Sequence, residues 1–323
     1  MSARYSLLLF PLLVLMSGCM SVGIESLFTS ELEEVVVENA GMLTRDKVAV
    51  LDLSGIISSE MAGAFSRYKC TPEAIRSMLD LMREDTHIRA VLLKIDSPGG
   101  EVTATDMIFR EIRSYQEETS VPVYASMMGL SCSGGYYLSC VADRIYAHPT
   151  TITGSIGVIA RFPNFRGLAD KVGYDEEIVK SGSMKAMGHP LLTMGAEERA
   201  VFQGTIDDMY RRFITIVRDA RPRLETLDAV RPIADGRIYT ADQAVANGLV
   251  DEIGYLADAL DGLKKAAGVS KAHVVTYSYG GHDSANLYTR AMRTPVELNL
   301  GVLQLKGLEM ARPGFQYLWM PGE

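Results

Sequence analysis

Short apolar blocks alternate with longer amphipathic stretches along most of this chain. The blocks have the continuity of buried strands, and the stretches between them carry apolar residues three or four positions apart, as in helices packed on a core. Strand, helix and strand repeated in this way imply a mainly parallel sheet covered by helices, so the predicted fold class is α/β. The predicted strands are residues 48–53, 90–95, 121–127, 144–147, 156–159 and, at an edge, 273–277.

Several predicted helices are bounded by residues that start or stop a helix. Pro72 suits a first helical turn, and Gly248 suits a C-terminal stop. Residues 182–195 are interrupted by glycine, methionine and proline, which indicates a loop over a site. The predicted helices are residues 72–84, 103–118, 136–141, 197–218, 241–247 and 255–267.

The N-terminus has the features of an export signal. Arg4 precedes an apolar stretch over residues 7–16, which is shorter than the roughly 20 residues that span a membrane. Ser17 and Gly18 then precede Cys19. This resembles a bacterial lipoprotein box, in which cleavage leaves Cys19 as the lipidated first residue. An uncleaved signal anchor and a plain cleaved signal are the alternatives. Both the lipoprotein and the anchor would place the folded body in the cell envelope, outside the cytoplasm and tethered to a membrane.

The chain as a whole divides into four predicted parts. Residues 1–18 are the predicted lipoprotein-type signal peptide, and residues 19–45 are a polar tether with some helix. Residues 46–280 carry the strand and helix pattern and form one compact domain. In the C-terminal extension, residues 281–323, the pattern fades and predicts no particular structure.

Composition and charge exclude several partners. The chain has 323 residues, of which 47% are hydrophobic and 22% charged, as in ordinary globular proteins. Its net charge of -8 and the lack of a Lys/Arg stripe argue against a nucleic-acid partner. The four cysteines form no disulfide framework, no pair has zinc-ligand spacing, and the histidines are scattered, so we expect no metal and no cofactor.

The most informative segment is a serine followed by two glycines, between a predicted strand and a predicted helix. Ser133 stands directly before Gly134 and Gly135. This places its hydroxyl at the positive end of a helix, and the glycines let a substrate approach the backbone. A nucleophilic serine fits such a turn, although Ser-Gly-Gly is also ordinary turn chemistry.

Three other segments carry groups that suit acyl transfer. Gly99 and Gly100 come just before a helix, where their N–H groups can meet an oxyanion or simply shape the loop. In the segment 153–157, hydroxyl groups can orient a neighbouring base or satisfy the local backbone. Lys185 enters the loop 182–195; a lysine is a general base only where its surroundings favour the neutral amine, and most lysines are solvated.

Together these segments resemble the signal peptide peptidase A family. The resemblance covers approximately residues 48–268 and depends on the order and spacing of several motifs. The motifs are Asp-Ser-Pro-Gly-Gly at 96–100, Ser-Gly-Gly-Tyr-Tyr at 133–137, Thr-Gly-Ser-Ile-Gly at 153–157, Ser-Gly-Ser-Met-Lys at 181–185, Asp-Gly-Arg-Ile-Tyr-Thr at 235–240 and Gly-Leu-Val-Asp at 248–251.

The resemblance implies a ClpP/crotonase-type fold and a serine–lysine dyad. By position, Ser133 is the nucleophile and Lys185 its general base. Gly100 supplies an N–H group to the oxyanion hole, and Ser155 hydrogen-bonds the lysine and holds it in place. The implied reaction is hydrolysis of signal-peptide remnants and other short apolar peptides through an acyl-enzyme. Short members of the family form homo-oligomeric rings or domes in which serine and lysine come from neighbouring subunits, so a monomer would be inactive.

The chain departs from the family pattern at three points. Cys132 stands where the family usually has alanine, and Ala186 follows the lysine where an acidic residue is frequent. Neither change removes a catalytic group. A lipobox is also unusual for the family, whose members commonly keep a membrane anchor, and this bears on the membrane and leaflet more than on the chemistry.

Other interpretations of the same residues remain. Ser66 and Lys69 fit the Ser-x-x-Lys pattern of penicillin-binding enzymes, but the companion motifs are missing. His148 would serve Ser133 as in ClpP itself, but it precedes a proline at a strand end, as a surface histidine would. An acyl-thioester hydrolase and a catalytically silent scaffold or peptide-binding ring are the alternative functions. Export away from coenzyme A counts against the first, and the intact serine and lysine count against the second.

Overall fold

A nine-stranded, mainly parallel sheet forms the centre of the molecule, and a three-stranded sheet lies at one side of it. The computed structural model describes residues 32–59, 70–279, 286–288 and 314–319. In chain order the strands are β1 (Leu32–Glu38), β2 (Lys47–Ser54), β3 (Ile88–Ser97), β4 (Gly99–Glu101), β5 (Val123–Cys132), β6 (Arg144–Ala147), β7 (Ile152–Gly154), β8 (Ile159–Arg161), β9 (Ile238–Thr240), β10 (Glu252–Ile253), β11 (His273–Tyr279) and β12 (Gly314–Leu318).

The large sheet has the order β1-β11-β2-β3-β5-β6-β10. Its strands run parallel except β1, which pairs antiparallel with β11. The C-terminal half of β5 also pairs with β7, and β7 pairs antiparallel with β9. The small sheet has the order β4-β12-β8, with both pairings antiparallel. These pairings bring the ends of β3, β5 and β7 to one edge of the sheet.

Helices cover both faces of the large sheet. They are α1 (Pro72–Glu84), α2 (Val102–Thr119), α3 (Gly134–Ser139), α4 (Arg166–Val172), α5 (Ala196–Ala220), α6 (Leu227–Val230), α7 (Ala241–Ala246) and α8 (Leu256–Ala266), with short 3-10 turns at Ser183–Ala186 and Arg231–Ile233. Buried side chains of α1, α2, α3 and α5 form one core with the sheet, and those of α8 form a second core on the opposite face.

Local sequence explains where the first of these helices begins. The side chain of Thr71 accepts a hydrogen bond from the backbone N–H of Ala74, and proline occupies the first helical position, where no N–H group is needed. Ile75, Met78 and Leu79 then point to the core at helical spacing. The N-terminal cap and the buried apolar face therefore both favour a helix that begins at Pro72.

The predicted α/β class and the mainly parallel sheet are confirmed. The helix at 72–84 and the strand at 144–147 have the predicted bounds. Three details of the sequence interpretation are wrong. The segment 32–38, expected as tether with some helix, is a strand; the strand expected at 156–159 is replaced by β7 and β8; and β11, expected at an edge, lies between β1 and β2.

Pairing with a distant strand accounts for the first correction. Three consecutive valines, Val35 to Val37, favour a strand, and the segment pairs with β11 from Leu32 to Glu38. Because β1 covers the outer edge of β11, that strand becomes internal. The large sheet therefore begins within the segment assigned to the tether.

Several sequence predictions fall outside the described residues. They are the signal peptide at 1–18, the lipidation site Cys19, the Ser66–Lys69 pair and most of the extension at 281–323. Within the described part of the chain, no helix is both long enough and apolar enough to cross a membrane.

A buried ion pair ties the end of α5 to the segment that follows α7. Arg221 donates to the carbonyl oxygen of Gly248 at 2.9 Å and to the carboxylate of Asp251 at 2.6 Å. Asp251 also accepts from the backbone N–H of Ile145 at 2.7 Å, which fixes the start of β6. The side chain of Arg221 is 4% exposed and that of Asp251 is 30% exposed, so loss of the arginine leaves the buried carbonyl of Gly248 without its donor and a partly exposed carboxylate without its cation.

We expect Arg221→Ala to lower the free energy of unfolding by about 2 kcal/mol, because it leaves the buried carbonyl oxygen of Gly248 without its hydrogen-bond donor. Arg218→Ala is the matched control, since its guanidinium is 34% exposed and pairs with the adjacent Asp219. That control should change stability by less than about 1 kcal/mol. Urea denaturation measures both values, and equal losses in the two variants would contradict the role of the buried pair.

Candidate active site

Ser133 occupies a strained turn between β5 and α3. Its φ is 53° and its ψ is -114°, and it is the N-cap residue of the helix. Its backbone N–H donates to the carbonyl of Gly154 at 2.8 Å, and its own carbonyl accepts from the N–H of Tyr137 at 2.9 Å. A non-glycine residue with positive φ costs of order 1–2 kcal/mol and persists only where its surroundings impose it. Here hydrogen bonds on both sides of the turn impose it.

Glycine is required at both positions that follow the serine. A Cβ on Gly134 would lie 2.9 Å from Oγ1 of Thr105, and one on Gly135 would lie 2.7 Å from the carbonyl oxygen of Ser97. The two glycines therefore let α3 start in contact with α2 and with the end of β3. At the first helical position, the N–H group of Gly134 has no acceptor within the helix.

Ser155 lies beside Ser133 in the same cavity. It also has positive φ, 50°, and its N–H donates to the carbonyl of Arg237 at 2.7 Å. Among the non-glycine residues of the described chain, only Ser120, Ser133 and Ser155 have positive φ. Two of these three lie in one cavity, and backbone strain of this kind concentrates at functional sites.

The cavity has a volume of about 610 Å³ and is open to solvent on one side. Ser133 and Ser155 are 1% and 8% exposed, so both hydroxyl groups lie at its floor rather than on the surface. The remaining lining residues are Gly157, Val158, Ile159, Arg161, Gln203, Ile206, Asp207, Tyr210, Ala234, Asp235, Gly236, Leu318 and Trp319.

Gly99 and Gly100 run past the start of the serine helix. Gly99 has a φ of 99°, and a Cβ there would lie 2.7 Å from the backbone nitrogen of Gly134. The carbonyl of Gly99 and the N–H of Glu101 both bond to Ile57, at 3.0 and 2.9 Å. Because backbone groups alternate in direction along a strand, the N–H of Gly100 faces the opposite side, towards β12. Its assignment to the oxyanion hole remains a prediction.

Lys185 does not line the cavity that holds Ser133. It lies in the 3-10 turn Ser183–Ala186, and its exposed side chain borders a separate, shallow depression formed by residues 181–185. Within one copy of the chain, the structure therefore brings Ser133, Ser155 and Gly100 to the same region and leaves the lysine apart from the serine cavity.

The segment that carries this lysine has few contacts with the body. Neither α4 nor the 3-10 turn contains a buried residue. We call residues 162–195 the arm. Its largely exposed apolar side chains are Phe165, Leu168, Val172, Tyr174 and Val179.

The surroundings of Cys132 and His148 argue against a catalytic role for either residue. Cys132, next to Ser133, is buried, and burial raises the pKa of its thiol to about 12, so it stays protonated. Nδ1 of His148 lies 2.8 Å from the hydroxyl of Thr150, the ring packs edge-on against Tyr255, and the residue does not line the cavity. The described structure therefore offers no histidine base to the serine.

Sequence reasoning missed three features of this site. The first is the N–H group of Gly134, which directly follows Ser133 at a helix start and is a second candidate oxyanion donor. The second is Asp235 at the cavity wall, where a hydrogen bond from Arg237 lowers the pKa of the carboxyl to about 2. The third is β12, whose residues Leu318 and Trp319 line the cavity. Only the Gly134 donor had a local signal, its place after the serine.

The fold and the site define the class of the protein. A parallel α/β body with a serine at a strained strand-to-helix turn, beside a glycine-containing strand, is the architecture of a ClpP-like peptidase. Residues 63–152 match the Clp protease family, and residues 115–270 match Peptidase family S49.

Similar proteins agree with this class. A protein of Enterococcus faecium named as a signal peptide peptidase SppA is 36% identical over 258 residues, which are 79% of this chain and 74% of that protein. Serine protease SPPA of Arabidopsis thaliana chloroplasts is 32% identical over 241 residues, 72% of this chain and 34% of that protein. Protease 4 of Haemophilus influenzae is 32% identical over 216 residues, 67% of this chain and 34% of that protein. This chain belongs to the signal peptide peptidase A family of S49 peptidases.

If Ser155 has its predicted role of orienting the base, Ser155→Ala should reduce kcat on a peptide substrate about tenfold to hundredfold, with little change in KM, because Ser133 is kept. Ser120→Ala is the matched control. It removes the same hydroxyl from a residue that also has positive φ, at an exposed position outside the cavity. Steady-state kinetics of both variants tests the role, and a normal kcat in Ser155→Ala would exclude it.

Proposed function

We propose that this protein is a membrane-associated serine endopeptidase in which Ser133 and Lys185 form the catalytic dyad. The observation that carries the proposal is the strained turn of Ser133 at the floor of an open cavity. A serine that only shaped a turn would not need a positive φ. Nor would it need to be followed by two glycines at which any Cβ would collide with neighbouring atoms. The proposed substrates are signal-peptide remnants and other short apolar peptides.

In the proposed mechanism, Oγ of Ser133 attacks the carbonyl carbon of the peptide bond while the neutral amine of Lys185 takes the hydroxyl proton. The N–H groups of Gly100 and Gly134 stabilise the negative charge that develops on the carbonyl oxygen. The lysine then gives its proton to the leaving amine, and an ester links the acyl group to the serine. A water molecule, deprotonated by the lysine, cleaves this ester and restores the free serine.

The position of the lysine supports a site that is shared between two copies of the chain. Lys185 lies outside the serine cavity and on an arm without buried residues in α4 or the 3-10 turn. Exposed apolar side chains such as Val179, at 93%, suit burial against a second copy. Such burial would also remove the amine from water, which favours the neutral form that a general base requires. We therefore propose a homo-oligomeric ring in which one copy supplies the serine and its neighbour the lysine.

The proposed substrates agree with the character of the cavity. Ile159, Ile206 and Leu318 contribute apolar surface to its wall, and Peptidase family S49 includes relatives named as signal peptide peptidases. Attachment through a lipidated Cys19, or through an uncleaved N-terminal anchor, would hold the catalytic body at the membrane where such peptides are released. The proposed location is the cell envelope, outside the cytoplasm.

A fluorophosphonate probe, which reacts with activated serines, should label Ser133 in the purified wild-type protein. Labelling should disappear in Ser133→Ala and fall at least about a hundredfold in Lys185→Ala, because the hydroxyl then lacks its base. Lys171→Ala, which removes an exposed lysine from α4 of the same arm, should be labelled normally.

The outcomes of this labelling separate the alternatives. Full labelling of Lys185→Ala would contradict the dyad, since the serine would then use another base. Failure of wild-type oligomers to react, with the protein folded, would favour a catalytically silent peptide-binding ring. Mass spectrometry of the labelled peptide identifies the modified residue in each case.

A mixture of two inactive variants tests whether the site is shared. When Ser133→Ala and Lys185→Ala chains are produced together, random assembly should restore about a quarter of the wild-type peptidase activity, because one site in four then joins an intact serine to an intact lysine. Each variant produced alone is the control and should stay inactive. If each chain carried a complete site, the mixture would show no recovery.

A further inference from the structure

The arm that carries Lys185 has no buried residue to hold it in place. The structure describes all of residues 162–195, and each of them is partly or fully exposed. The arm leaves the body directly after β8 and returns to it directly before α5. A segment with so little burial keeps a fixed direction only where it is attached, so the attachment of its two ends decides where the lysine lies.

Two aromatic rings bring both ends of the arm together at the body. Phe162, the first residue of the arm, packs against Phe202 of α5 with ring centroids 4.1 Å apart and ring planes tilted by 34°. The returning chain passes these rings at Gly188, which has a φ of 72°. A Cβ there would lie 2.8 Å from the ring of Phe162 and 3.3 Å from that of Phe202. We call Phe162, Gly188 and Phe202 the clamp.

Hydrogen bonds beside the clamp join the outgoing segment of the arm to the returning one. The N–H of Phe165 donates to the carbonyl of Pro190 at 2.7 Å, and the side-chain amide of Asn164 donates to the carbonyl of Leu192 at 2.8 Å. The two ends of the arm are therefore fixed to each other, and Phe202 attaches them to α5.

A tight turn connects Lys185 to the clamp. The lysine belongs to the 3-10 turn Ser183–Ala186 and lies three positions before Gly188. Between them the N–H of Met187 donates to the carbonyl of Met184 at 3.1 Å. Because so few residues separate the lysine from Gly188, a displacement of the clamp also displaces the backbone that carries the lysine.

The body segments that hold the clamp also form part of the wall of the serine cavity. Ile159 and Arg161, directly before Phe162, line this cavity, and so does Gln203, directly after Phe202. The two rings of the clamp do not line it. The clamp therefore sets the direction of the arm relative to the cavity of its own chain. In a ring of identical copies this direction also sets where the arm meets the neighbouring copy.

We propose that Phe162 and Phe202 are positioning residues that place Lys185 for the serine of the neighbouring copy. The proposal rests on the proposed shared dyad and adds to it the contact that directs the arm. The rings act through Gly188 and the turn before it, while the distal residues 166–182 adapt to the neighbour. A misplacement of about 1 Å can lower the rate of a catalysed step about a hundredfold, so a general base on an exposed arm requires a fixed root.

The first test removes one ring of the clamp. Phe162→Ala in the full chain should lower kcat on a peptide substrate at least about tenfold and leave KM within about twofold, because the base is misplaced while the cavity is kept. Phe162→Tyr retains the ring and should keep kcat within about threefold of the wild-type value.

Val201→Ala is the matched control for the loss of the ring. It shortens an apolar side chain that is 45% exposed and directly precedes Phe202 on α5, and it should leave kcat normal. An unchanged kcat in Phe162→Ala would overturn the proposal.

The second test determines which chain needs the clamp. Ser133→Ala and Lys185→Ala chains are again produced together, and Phe162→Ala is added to one of them. In the Ser133→Ala chain, which supplies the lysine, the added change should lower the recovered activity at least about tenfold. In the Lys185→Ala chain, which supplies only the serine, it should leave about a quarter of the wild-type activity. A general defect in folding or assembly would lower the recovery in both arrangements, so equal recovery in the two would overturn the proposal.

The same measurements separate failure of the clamp from failure of the shared dyad. If Ser133 reacts with the fluorophosphonate probe and the original pair of variants recovers activity, but Phe162→Ala changes neither kcat nor the recovery, the dyad stands and the clamp has no part in it. If Ser133 never reacts, or if the original pair shows no recovery, the shared dyad fails and the positioning role fails with it.

Discussion

The site depends on a single backbone constraint, the left-handed conformation of Ser133. The turn is held by the hydrogen bond from its N–H to the carbonyl of Gly154 and by the one that its own carbonyl accepts from α3. Gly154 is itself held by β9, because a Cβ there would lie 2.6 Å from the ring of Tyr239. The strain at the serine is therefore balanced by sheet pairing that extends from β5 through β7 to β9.

The same constraint fixes the neighbouring groups. Because the serine turns sharply, the helix must begin at a glycine, and this glycine comes close enough to Gly99 that neither position admits a side chain. The glycines that remove bulk also expose N–H groups, so the close packing of the turn and its capacity to bind a negative oxygen have one cause. The buried Tyr136 hydroxyl, which donates to the carbonyl of Leu249 at 2.9 Å, secures the far side of the same helix.

These local causes explain what the sequence could predict. The strand, serine and glycine pattern around Ser133 lies within a few residues, so propensity and glycine placement were sufficient, as they were for the helix at 72–84. The strand at 32–38 and β12 depend on partners far away in the chain, and short segments carry too little pattern to identify such pairing. The dyad was inferred only through the family resemblance, because spacing along the chain does not show that Lys185 and Ser133 line different pockets of one copy.

Ser133 and Lys185 lie in parts of the molecule that differ in how tightly they are packed. Ser133 and the candidate oxyanion donors belong to the tightly packed body, whereas Lys185 belongs to the arm, whose helical turns contain no buried residue. A rigid body keeps these groups aligned, and an arm with few internal contacts is free to take its shape from a neighbouring copy. If the proposed dyad is correct, peptide recognition would be a property of each chain, while proton transfer would arise only on assembly.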